Sequence, residues 1–90
     1  MAFSDQEFER FTTERDSLFR RYRAADIHEA ESALIAIEDL VRSQGHNAWS
    51  PEVVKIDLAF LLARRSEIRF RLRDDQQGRA LMNEALLLLR

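Results

Sequence analysis

Few residues in this chain have the type and spacing to do chemistry. His28 stands at helical i, i+3 and i+4 spacing from Glu31 and Ser32, which two ligands of a metal ion could use. A protein zinc site takes three or four ligands, and the other histidine, His46, lies in a separate stretch, so no metal site is expected. No Gly-rich phosphate loop and no ordered nucleophile turn occurs, so no cofactor and no enzymatic activity are expected. What remains is charge. Arg64, Arg65, Arg69, Arg71 and Arg73 stand against the single Glu67 within ten residues, and such a run can track phosphates or grip an acidic partner peptide. The plainer expectation is that it answers the segment from Asp26 to Arg42, where Asp26, Glu29, Glu31, Glu38 and Asp39 outnumber Arg42, within one chain or across a dimer.

The elements that must carry these residues are helices. Ninety residues make one small domain, and two Gly, one Pro and 46% hydrophobic residues favour an all-α chain. Four starts punctuate it. Ser4 to Glu7 is a capping box with Phe3 and Phe8 placed as a staple across it; Asp26 to Glu29 is a second; Ser50-Pro51 sets a cap followed by Pro at the first helical position; Asp74 opens the last helix. The expected architecture is four antiparallel helices near 5–24, 27–43, 51–72 and 75–90. They form two hairpins, 4–43 and 50–90, joined by a linker at 44–49, in an arrangement like a tetratricopeptide pair or a four-helix bundle. Gly45 is placed to end the second helix in a left-handed conformation. Trp49, one residue before the Ser50 cap, is expected to staple onto Val54.

The segment Val53 to Ala63 is apolar around its whole circumference, the pattern of a helix enclosed by neighbours, so the third helix is expected to be the most buried. Together with Leu86 to Leu89 it supplies more apolar surface than one stripe needs. Self-association through Phe60, Leu61, Leu81, Leu87 and Leu88 is expected, with a homodimer as the simplest outcome.

A weak repeat aligns Asp26 with Asp74 at a period of 48 residues, and the chain here resembles the tetratricopeptide helical hairpins. The stretch Ser66 to Leu88 looks like the second half of such a repeat, with Ser66, Gly78 and Ala85 at its small positions and Asp74 at its turn; Asp26, Ala30 and Ile37 extend the likeness loosely. Arg65 and Arg69 depart from it, standing where that family has a Leu and an aromatic. The resemblance implies a non-enzymatic module that binds a partner protein or peptide. Two other functions fit the composition: a small nucleic-acid-associated regulator using the Arg64 to Arg73 cluster, and a small helical immunity or inhibitor protein.

A net charge of −2 gives no global field to recruit nucleic acid or a membrane surface. Absence of cysteine and of a signal-like N-terminus leads to an expected cytoplasmic location. Thirteen Arg against one Lys is a skew common in bacterial products of GC-rich genomes.

Overall fold

A computed structural model describes residues 2–90 and is all-α: α1 Asp5–Ala24, α2 Ile27–Ala48, α3 Pro51–Arg71 and α4 Asp75–Leu88. The starts lie where the caps put them. Ser4 Oγ accepts from Glu7 N–H and the Glu7 carboxylate accepts from Ser4 N–H; Asp26 caps His28 and Glu29; Ser50 caps Val53; Asp74 caps Gln77. The Phe3–Phe8 staple does not form. Phe8 stays exposed, and Phe3 packs on Phe11 at 5.8 Å between ring centroids while its N–H donates to Asn47 O.

That last bond depends on a longer α2 than the sequence suggests. Gly45 does not end the helix, and the expected linker 44–49 is helical as far as Ala48. The glycine is a packing residue: a Cβ there would meet Val41 Cγ1 at 3.1 Å and Val54 Cγ2 at 3.4 Å, so its absence lets the start of α3 approach α2 closely. The helix ends at Trp49, which is extended, because the Ser50-Pro51 pair that opens α3 bars further helical turns.

Each helix packs on the next, α1 on α2, α2 on α3 and α3 on α4, and among the described residues α1 and α4 do not meet. The result is an open, two-layer stack measuring 43 × 32 × 14 Å rather than a closed ring of four. Lying between two neighbours, α2 is the most buried helix. It holds Ala30, Ala33, Leu34, Ile37, Leu40 and Val41 in the core, together with Glu31 and Glu38. The expectation of an enclosed α3 fails, although α3 also packs between two helices. Leu58, Ala59, Leu61 and Leu62 face inward, but Val53, Ile56 and Phe60 face solvent, because neighbours cover only half of its circumference. Leu61 and Leu81, expected at a self-association surface, are core residues, at 0% and 7% exposure.

The α3–α4 hairpin is close-packed where the small residues lie. Ser66 is fully buried and its hydroxyl donates to Gly78 O at 2.6 Å, while Gly78 receives the ring of Phe70 and Ala85 completes the contact with Ala59 and Leu62. The turn is a Schellman motif, with Asp74 N–H donating to Arg69 O and Arg73 N–H to Phe70 O, and it holds Arg73 at φ 65°.

Candidate docking groove

The five arginines of α3 and its turn do not form one surface. Arg65 donates to Glu38 Oε2 at 2.8 Å and stands 3.7 Å from Glu31; Arg69 donates through Nε to Glu31 Oε2 at 2.9 Å, pairs with Glu31 a second time and reaches Asp74 at 3.5 Å. The two carboxylates are buried on α2, and Glu38 also pairs with Arg42, which reaches Glu84 of α4 at 3.6 Å. The hydrogen bond that Arg69 donates to Glu31, ahead of the charges of Glu31 and Asp74, holds its guanidinium above the ordinary pKa. These pairs tie α2 to α3. They remove two of the five cations from any phosphate-tracking row, Arg64 pairs with Glu67 on its own helix, and Arg73 occupies the turn. His28 is exposed, and among the described residues no three His, Cys, Asp or Glu side chains converge as a metal site would need.

A concave surface lies on the other face of the stack, between α1 and α3. The two helices stand apart at the backbone and are joined by side chains. Arg15 of α1 donates through Nε to Asp57 Oδ2 at 3.2 Å and pairs again through its terminal nitrogen. Its guanidinium lies over the Phe19 ring at 4.6 Å and the Trp49 ring at 5.3 Å, two cation–π contacts that fix it between the helices. Trp49 in turn meets Phe11 edge-on at 5.1 Å, so this ring both seals the core and floors the groove. Phe19 and Phe60 face each other at 6.3 Å.

The groove has two ends of different character. One is apolar, walled by Trp49, Val53, Ile56 and Phe60 around the Arg15–Asp57 pair, with a volume of about 440 Å³. The other is cationic, where Arg20 and Arg23 stand beside Phe19 and Phe60, with Asp16 the only acid lining it. Among the described residues neither Arg20 nor Arg23 enters an ion pair. Arg64 lies over Phe60 at 5.0 Å on the same side.

Of the sequence-derived residues, Phe60 and Arg64 belong to this groove; Leu87 is exposed elsewhere, and Leu88 is half-buried between the two core clusters. Arg15, Phe19, Arg20, Arg23, Val53 and Ile56 were not singled out. Their signal was Arg15 itself, a cation on the apolar stripe of α1, since a charge held there needs a partner across the fold. No family model, curated protein or solved structure matches the chain. Among the described residues no helix is long and apolar enough to cross a membrane.

Proposed function

We propose that the chain is a non-enzymatic helical interaction module that holds a partner protein through the groove between α1 and α3. The observation that carries this reading is the row Val53, Ile56 and Phe60 facing solvent beside the Arg15–Asp57 bridge. Apolar side chains on a fixed wall, with cations at one end, match a partner segment that has apolar anchors followed by carboxylates. Side chains at i, i+3/i+4 and i+7 on a partner helix, or alternate side chains on an extended one, could span the row. The Glu31–Arg65–Glu38 pairing ties the α3 wall to α2, which also carries α1.

Selection of a displayed library of short peptides against the protein tests it. Enriched sequences should combine aromatic or branched apolar residues with Asp or Glu. Their affinity should fall about tenfold or more, about 1.4 kcal/mol, in Phe60→Glu and in the pair Arg20→Glu with Arg23→Glu. Enrichment of basic sequences, or binding untouched by both changes, would contradict the reading.

A further inference from the structure

The open stack has a second uncovered region, at its α4 edge, which adjoins the groove at Ile56 and extends away from it. On α3 the residues Ile56, Ala63 and Phe70 are spaced by seven and so fall on one line; on α4 Met82, Leu86 and Leu89 are spaced as i, i+4 and i+7 and fall on another. The contacts of each helix fix where these lines point. Asp57 of α3 reaches α1 and Phe70 lies against Gly78 of α4, so the α3 line runs from Ile56, at the border of the groove, across to the α4 side of the helix. Glu84 of α4 reaches α2 and Leu88 packs on the core shared with α2, so the Leu86 line is turned away from α2. Phe70 lies over Gly78 at the seam, which joins the two lines into one notch. Ile56 is 60% exposed, Leu86 55% and Leu89 58%.

We propose that this notch is where a second copy of the chain docks, two copies pairing antiparallel about a two-fold axis. The equivalent notch between α1 and α2 is already filled, by α3 of the same chain. Head-to-tail addition would set the α1 edge of one copy into the notch of another, and that edge is polar: Gln6, Glu9, Arg10, Thr13, Glu14 and Ser17 line its outward face. Burying those groups against leucines without partners is unfavourable, so an open filament is disfavoured and the self-complementary, closed arrangement remains.

Charge points the same way. Glu52 stands at one end of the notch and Arg79 at the other, because α3 and α4 run antiparallel, and neither enters an ion pair among the described residues. Antiparallel pairing brings Glu52 of one copy towards Arg79 of the second, and the reverse. At about 1.5 Å per residue α3 spans about 30 Å and α4 about 20 Å, and helices about 10 Å wide offer roughly 500 Å² in projection. That is below the roughly 800 Å² per partner of a standard stable interface and in the range of weaker ones, so the dimer should be one that dissociates on dilution.

Sedimentation velocity on the whole chain over micromolar concentrations is the test. The unmodified protein should pass from monomer to dimer and stop there. Leu86→Glu and Leu89→Glu should each remain monomeric with unchanged helicity by circular dichroism, whereas Leu87→Glu, on the outward side of α4, should leave the dimer intact. Glu52→Arg and Arg79→Glu should each weaken pairing about tenfold, and the double exchange should restore it. A strict monomer, open-ended growth, or a dimer that persists in both Leu86→Glu and Leu89→Glu would overturn the proposal. Phe60→Glu should leave the mass unchanged, which separates failure here from failure of the groove.

Discussion

The seam between α2 and α3 and the outer edge of α3 and α4 handle opposite surfaces in opposite ways. At the seam, charge is buried and every carboxylate has an arginine: Glu31 with Arg65 and Arg69, Glu38 with Arg65 and Arg42. At the edge, large apolar side chains leave about half of their surface exposed. The difference separates what holds the chain together from what the proposed dimer would cover. Paired charges in the interior add little net stability over apolar packing, but they penalise any other register of the two hairpins, since a slip would strand a buried carboxylate. Exposed leucines do the reverse: their uncovered surface adds nothing to the isolated chain and would contribute only in the proposed dimer.

Substitutions at the seam should therefore give the largest loss of stability. Glu31→Ala leaves the part-buried Arg65 and Arg69 without their shared partner, with only Glu38 and Asp74 remaining to them, and denaturant unfolding should show a loss of about 2 kcal/mol. Replacing the pair together, as Glu31→Leu with Arg69→Met, should recover most of that loss. If the single change is harmless, the seam is not the clamp described.

A smaller effect of opposite sign is expected at the turn. Arg73 sits at φ 65°, where a side chain costs about 1 kcal/mol, so Arg73→Gly should raise stability by about that amount despite the greater freedom of glycine in the unfolded chain. It should leave any partner affinity unchanged. A loss of stability would mean that the Arg73 side chain does more than occupy the turn. At the edge, Leu86→Glu measured at low concentration should change the unfolding free energy by no more than about 0.5 kcal/mol, the usual range for exposed positions.

The smallest effect concerns pH. The Glu7 carboxylate is held below its ordinary pKa of 4.5, first by the Ser4 backbone N–H and next by the Ser4 side chain. A depressed folded-state pKa contributes stability above the unfolded value, and that contribution is lost as pH falls through the folded one. Acid titration of stability should show this loss below about pH 4.5 in the unmodified chain, and Ser4→Ala should reduce it.

How much of this was legible in the sequence depended on whether a residue acts locally. The four caps were, because Ser4, Asp26, Ser50 and Asp74 bond to the backbone of their own first turn. Gly45 misled because a glycine at a helix end and a glycine under a neighbouring helix look alike in sequence; Val54, nine residues on, makes the difference. The opposite charges of α2 and α3 announced a pairing, while Glu31 and Glu38 as its members follow only from the angle at which the helices meet. Phe60 and Leu61 show the limit most plainly. They are neighbours in an apolar run and one faces solvent while the other is fully buried, a rotation of 100° that no periodicity resolves when apolar residues cover the whole circumference. Arg73 in the left-handed region carried no signal, since Gly or Asn is the usual occupant of that position.

Thermal unfolding followed as a function of protein concentration tests the separation of seam from edge most directly, because only an assembly that dissociates on unfolding makes the midpoint depend on concentration. The midpoint of the unmodified chain should rise with concentration through the micromolar range. That of Leu86→Glu should be flat, and that of Glu31→Ala should be lower throughout but rise with the same slope. A flat midpoint for the unmodified chain, or a slope abolished by Glu31→Ala and kept by Leu86→Glu, would contradict the account.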